Sequence, residues 1–388
     1  MVMPEPTPTS SRQARLLLVT TVPSTFYFLL PYASYFSAKG WQVDGMTGQA
    51  PMPAQTRSAL AHVHAVSWSR RLADPSNLRA VLQVRRILRD GRYDIVHTHT
   101  PIASFVTRVA TATIPRTSRP RLAYTAHGFH FHAGGSRLKN AFYVGAEVLA
   151  GRVTDRLVVI NEEDGRVAGR FRVVSRDRLV MMPGIGIDLS HYRRTPELLA
   201  QAVRARRSLE VADGAVLLTV VAELTPRKNI AVAIAALARN ADHRLHLVVA
   251  GVGPLAASLT QQAQRLGVAD RVHLLGSVSD VRPLLLSSAA LVLPSRREGL
   301  SRAVMEALAL GVPVIGSRTR GITDLVEPDG GLLVAPDDEV GLSVAYDAVQ
   351  SHERGDALAT RLADRLTRLS LDHLIRQHER LYAALLNP

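Results

Sequence analysis

Two glutamates, Glu298 and Glu306, with seven residues between them, are the part of this chain best suited to chemistry. A carboxylate accepts hydrogen bonds from hydroxyls, so two of them on one short segment can hold different parts of one polyol ligand. Directly after Glu298 come Gly299, Leu300 and Ser301, then a run of helix-forming composition, Ala303–Leu310, which Gly311 and Pro313 end. The first amides of a helix have no partner within it, so these three would open a site suited to a phosphate.

That arrangement depends on what comes before and after it. Ala289–Pro294 (AALVLP) reads as a short buried strand, and GVPVIGS, after the helix, reads as another. The same alternation of short apolar strands and helical stretches runs through the whole chain. In the first half, strands are expected at Leu16–Thr20, Val43–Thr47, His62–Val66, Ile95–Thr98, Leu122–Thr125 and Leu157–Ile160. In the second they are expected at Ala215–Val221, Leu245–Ala250, Val272–Leu274, Leu291–Leu293, Val314–Gly316 and Leu332–Val334. This is the pattern of doubly wound α/β domains, whose ligands lie beyond the carboxyl ends of the strands. Residues 183–196, PGIGIDLSHYRRTP, are rich in Gly and Pro and read as the connector between two such domains facing a cleft.

Composition narrows the function classes. A length of 388 residues and 47% hydrophobic content suit two buried cores. There is no cysteine, which excludes disulfides, thiolate zinc sites and thiol catalysis. Residues 1–190 hold 24 Lys or Arg against 12 Asp or Glu, a net of +12, whereas the remainder nets only +2. Such asymmetry points to an anionic partner for the first half, although an Arg-rich composition can also reflect coding bias. No nucleic-acid-binding signature accompanies the charge, so nucleic acid is the weaker candidate and an anionic membrane surface the better one. No run reaches 18 apolar residues, and LLLVTTV is too short for a signal-peptide core. A cytoplasmic chain is expected, able to attach peripherally to the inner face of the cell membrane.

Four blocks in the second half and four in the first resemble the retaining glycosyltransferases of family 4. The former are VAELTPRKN (221–229), VVAGVGPL (248–255), VHLLGSVSDV (272–281) and LPSRREGLSRAVMEALALGVPVIGS (293–317). The latter are VTTVPSTFYFLLPYASYF (19–36), DIVHTHTP (94–101), YTAHGFHFH (124–132) and VVINEED (158–164), and they are similar to the capsule and exopolysaccharide branch. The resemblance implies the GT-B fold, two Rossmann-like domains of the α/β class. It divides the chain into a disordered tail (1–14), an acceptor-side domain (15–188), a nucleotide-sugar domain (189–370) and a terminal helix (371–388) that packs back on the first domain.

By the same resemblance, Lys228 contacts the donor phosphates as the following helix begins, with Arg227 beside it. Fixed cations there would stabilise the charge that grows on a departing diphosphate. Gly251 and Gly253 form a turn near the nucleotide, Ser277 and Val278 lie along the base, and Gly299, Leu300 and Ser301 meet the phosphates. Glu306 accepts from the ribose, Glu298 holds the donor sugar, and His127 approaches that sugar from the first domain. The family needs neither a metal nor a cofactor, since the nucleotide sugar is a substrate. Two departures stand out. Ala222-Glu223-Leu224 replaces a common Gly-Arg-Leu, and the first turn, Thr21-Val22-Pro23-Ser24-Thr25, lacks glycine.

The implied reaction moves a sugar from a nucleotide diphosphate, by preference UDP, to a lipid-diphosphate-linked or polysaccharide acceptor. No carboxylate is placed as an obvious nucleophile, and the resemblance implies a front-face route in which the leaving phosphate helps deprotonate the acceptor. The alternatives are a non-catalytic sugar-nucleotide or membrane-binding protein of the same fold and, on charge alone, a nucleic-acid-binding protein.

Overall fold

The computed structural model describes residues 13–69, 74–131 and 136–387, so nearly all of the expected tail, and His132, lie outside the described residues. The chain divides into two compact units. One comprises residues up to Val159, Asp164–Ile185 and the stretch from Ile375 onward; the other is Ile160–Glu163 with Gly186–Leu374.

The first unit is built on seven parallel strands: β1 (Arg15–Val19), β2 (Gln42–Thr47), β3 (Val63–Ala65), β4 (Ile95–Thr98), β5 (Arg121–Ala126), β6 (Arg156–Val159) and β7 (Leu179–Met181). They lie side by side in the order β3-β2-β1-β4-β5-β6-β7. β1 reads RLLLV because helices cover both faces of a parallel sheet, and Leu16–Val19 are all buried. Val84, Leu88, Val96 and Val106 join Leu17 and Val19 in one core, where each such side chain contributes about 1.5–3 kcal/mol. β7 was not expected. It is a three-residue edge strand without a buried residue, so neither an apolar run nor alternation marks it.

The second unit has six parallel strands: β8 (Val216–Val221), β9 (Leu245–Ala250), β10 (Val272–Gly276), β11 (Ala290–Leu293), β12 (Val314–Ser317) and β13 (Gly331–Val334). Their order is β10-β9-β8-β11-β12-β13. In both sheets the direction of winding reverses beside the first strand, between β1 and β4 and between β8 and β11. Loops diverge at such a switch point and leave a crevice at the carboxyl ends.

The last helix spans Leu371–Leu386, and from Ile375 on it belongs to the first unit, where Tyr382 packs against Phe36 and Trp41. In helix Ser76–Gly91, Val84 and Leu88 turn inward whereas Leu82 is 65% exposed. Among the described residues no helix is long and apolar enough to cross a membrane.

Candidate active site

In the second unit every loop that leaves the carboxyl end of β8, β9, β10, β11 or β12 carries a residue of interest. After β8 the chain makes a tight turn, with the Lys228 amide donating to the Thr225 carbonyl at 3.1 Å. Lys228 therefore does not begin the next helix. Asn229 follows in the left-handed region (φ 55°) and the helix starts at Ile230. That turn aims Lys228 back at the β11 loop, where its Nζ donates to Glu298 Oε1 at 2.6 Å. Arg227 Nη1 donates to Glu298 Oε2 at 3.3 Å and to the Arg297 carbonyl at 3.1 Å. Glu298 is buried, so its negative charge is matched by cations on both oxygens.

Two further cations, missed by sequence reasoning, belong to this cluster. Arg320, after β12, donates from Nε to the Glu298 carbonyl at 3.2 Å. Arg297 lies close enough to Arg320 and Arg227 that burial, followed by their charges, lowers its pKa from the usual guanidinium range. The carboxyl-end rule could have found Arg320, and Arg297 directly precedes Glu298.

Ser301 caps helix Arg302–Ala309, its hydroxyl accepting from the Val304 amide, so the expected helix begins one residue early. Among the described residues the amides of Gly299, Leu300 and Ser301 donate no hydrogen bond, while the Gly299 carbonyl accepts from Asn161 Nδ2 at 3.2 Å. Gly321 (φ +75°) holds this loop close, because a Cβ there would lie 2.0 Å from the Gly299 oxygen. Glu306, one turn into the helix, is buried. Its Oε1 accepts from the Tyr192 hydroxyl at 2.7 Å and from Arg302 Nε at 2.8 Å, leaving Oε2 without a partner among the described residues. Burial, with Glu306 beside it, raises the Tyr192 pKa and keeps the phenol a donor. Neither partner was named from sequence: i,i+4 spacing could have found Arg302, but Tyr192 is 114 residues away.

Gly251 and Gly253 have a reason internal to the fold. A Cβ on Gly251 would meet the Ala222 carbonyl at 1.9 Å, and one on Gly253 would meet Leu224 backbone at 2.5 Å. The β9 loop is thus laid on the β8 loop that carries the two cations. After β10, Ser277 is exposed, and Val278 packs against the cluster of Leu217, Val248 and Leu284.

In the first unit His127 follows β5 and is half-buried. Its Nε2 lies 3.4 Å from His99 Nδ1, in the loop after β4. The His97 ring, at the end of β4, sits 4.1 Å from that of His99 and 5.6 Å from that of His378 in the last helix. His97 Nδ1 is 2.7 Å from the Tyr382 hydroxyl and Nε2 is 2.7 Å from Thr125 Oγ1. Burial, then the His378 charge, lowers the His127 pKa to about 4, and burial pushes His97 and His99 well below the usual imidazole range. Among the described residues no group of three or more His, Cys, Asp or Glu is arranged to hold a metal ion.

The glycine-free first turn is closed. The Thr21 amide donates to Thr100 Oγ1 at 2.6 Å, and the Thr21 carbonyl accepts from Trp68 Nε1 at 2.9 Å. Of the apolar run that follows, Phe26 and Leu29 are core residues and Tyr27 is exposed.

Comparison with known proteins gives a consistent picture. The sequence model described as Glycosyltransferase Family 4 matches residues 28–191, and that described as Glycosyl transferases group 1 matches residues 203–357. A Bacillus subtilis (strain 168) protein named "Putative glycosyltransferase EpsD" is 31% identical over 338 residues, covering 86% of this chain and 85% of the relative. The Escherichia coli UDP-Gal:alpha-D-GlcNAc-diphosphoundecaprenol alpha-1,3-galactosyltransferase is 27% identical over 264 residues, 66% of each chain. Among solved structures, Anabaena Alr3699/HepE in complex with UDP and glucose superposes with a TM-score of 0.78 at 18% identity, over 96% of this chain and 100% of that one.

Proposed function

This chain belongs to the group 1, family 4 glycosyltransferases, and from that premise we propose a retaining enzyme that moves a hexosyl or N-acetylhexosaminyl group from a UDP-sugar to a lipid-diphosphate-linked saccharide. The observation that carries the reading is the pairing of Glu298 with Lys228 and Arg227 next to three unused amides, with Glu306 one turn into the helix that follows. Lys228, Arg227, Arg297 and Arg320 would face the diphosphate as negative charge grows on it, and being fixed they need no rearrangement at that moment. Glu306 Oε2 would accept from the ribose and Glu298 from the transferred sugar. His127 would donate to a hydroxyl of that sugar. With charge supplied by side chains, turnover is expected to be insensitive to a chelator.

The choice of UDP and of a diphosphate-linked acceptor draws on the Escherichia coli relative, whose name states both, and on the Anabaena protein, whose structure holds UDP. A membrane-borne acceptor also suits the first unit. Helix Arg137–Gly151 turns Tyr143, Val144 and Val148 inward yet leaves Leu138, Phe142 and Leu149 exposed, with Arg137 and Lys139 beside them. An exposed apolar stripe flanked by cations is suited to an anionic membrane surface.

The test is to supply UDP- and GDP-sugars with a polyprenyl-diphosphate-linked N-acetylglucosamine and to assign the anomer of the product. Transfer from a UDP-sugar with retention is expected. A β-linked product from an α-linked donor would end the retaining assignment, and a preference for GDP-sugars would end the UDP assignment. The chain should also sediment with phosphatidylglycerol vesicles at low salt and be released at high salt. Equal binding to neutral vesicles would leave the lipid-linked acceptor unsupported.

A further inference from the structure

His97 and His99 stand two residues apart and both are buried, yet their hydrogen bonding differs. His97 has a partner at each ring nitrogen, whereas His99 Nε2 has none. Among the described residues the one side-chain hydrogen bond of His99 joins Nδ1 to His127 Nε2, at 3.4 Å the long end of the range, and it is also the one side-chain hydrogen bond of His127.

A neutral imidazole has a single proton to place, on one nitrogen or the other. If His99 carries it on Nε2, a buried N–H is left without an acceptor. If it carries the proton on Nδ1, the unpartnered atom is only a lone pair, and Nδ1–H points at His127. Orphaned buried donors are rarer than under-used acceptors among backbone groups, and the same desolvation argument applies to ring nitrogens. The second arrangement therefore prevails. It makes His127 Nε2 an acceptor, which leaves Nδ1 as the only place for the proton of His127.

We propose that His99 is a positioning residue that locks His127 as the Nδ1–H tautomer, so that His127 offers the transferred sugar a hydrogen-bond donor and not a base. The proposal rests on the reading that His127 addresses that sugar. It adds what His127 does there, and it assigns a role to a histidine that touches no substrate. With its pKa lowered to about 4, His127 stays neutral in neutral solution, the condition for having one proton to direct. Adding a second proton at Nε2 would set two N–H groups against each other, so the lock also opposes protonation.

The direct test is two-bond ¹H–¹⁵N correlation on the full chain with labelled histidine, with the His127 signals assigned by their loss in His127→Gln. A pyrrole-type Nδ1 and a pyridine-type Nε2 are expected, with the assignment lost in His99→Leu. A proton on His127 Nε2 in the wild type overturns the proposal. Turnover gives a second measure. The amide nitrogen of Asn sits where Nδ1 of His does, so His99→Asn keeps a donor and should hold kcat within about threefold, whereas His99→Leu should lose about tenfold with donor KM unchanged. If His99 were only packing, Leu would be tolerated as well as Asn or better, and either ranking overturns the proposal. Should His99→Leu fail to fold, the wild-type tautomer and the Asn variant still decide. Unchanged turnover in His127→Ala would remove the parent reading and with it the functional half of the proposal. The NMR result would then judge the His99–His127 bond by itself.

Discussion

Around Glu298 the second unit gathers Arg227, Lys228, Arg297 and Arg320, whereas around His127 the first unit gathers His97, His99 and His378. The first set is cationic, with Lys228 and Arg227 tied to the buried Glu298 carboxylate and Arg320 to its backbone carbonyl. In the second, burial lowers the pKa of His97, His99 and His127, and these three are held through ring nitrogens that can act as donor or acceptor. The contrast matches two tasks. Charge that develops on a diphosphate calls for fixed cations. A sugar hydroxyl changes little in charge and calls for donors of settled direction. Losses in the first region should therefore appear in binding and rate together, and losses in the second mainly in rate.

The largest effect is expected from Lys228→Ala. It removes the closest cation and leaves Glu298 with Arg227 alone. Loss of one charge-stabilising group in such a site lowers kcat/KM by roughly 10²–10³-fold. Steady-state kinetics with saturating acceptor would measure it. A fall below tenfold would mean that Arg297 and Arg320 bear the diphosphate, and the contrast would move to those residues.

A paired measurement sharpens the comparison. His127→Ala should lower kcat by about 10²-fold and leave UDP affinity within twofold, because its interaction belongs to the sugar. Glu306→Ala should weaken UDP binding by about 1.5–3 kcal/mol, roughly 10- to 150-fold, without unfolding the chain. Calorimetric titration with UDP beside turnover separates the two. If both variants lose binding and rate equally, the two regions do not divide the work as argued.

Much of this geometry was legible before the structure. Parallel strands are buried on both faces, so β1, β8 and β11 stood out as apolar runs, and the terminal helix, expected over 371–388, spans Leu371–Leu386. The short edge strand β7 left no such trace. Asn229 shows how local chemistry can displace an expectation: its left-handed backbone delays the helix and so turns Lys228 toward Glu298. The partners that tune the site were least legible. Tyr192 reaches Glu306 across 114 residues and Tyr382 reaches His97 across 285, and neither residue belongs to a motif. Periodicity reports which face of an element is buried, and it carries no information on which distant side chain completes a hydrogen bond.

The smallest effect, and the one that isolates the imidazole region, is on stability against pH. His97, His99 and His127 have folded-state pKa values below the ordinary 6.5 or so of an unfolded histidine. Between those values the unfolded chain binds the extra protons, so ΔG of unfolding rises with pH. The contribution is fully present above about pH 6.5 and is lost as pH falls towards 4, at up to about 1.4 kcal/mol per unit for each histidine that stays neutral. His246 and His273 of the second unit are shifted the same way by burial, but less far than His97 and His99, and contribute less. Calorimetric scans of the full chain at pH 7.5 and 5.5 should therefore show the transition of the first unit moving down more than that of the second. His99→Asn, which removes one titrating ring, should shrink the shift by about 2–4 °C per pH unit. An unchanged shift in that variant would mean that His99 takes up its proton without unfolding, and that the neutrality of this cluster is not enforced by the fold.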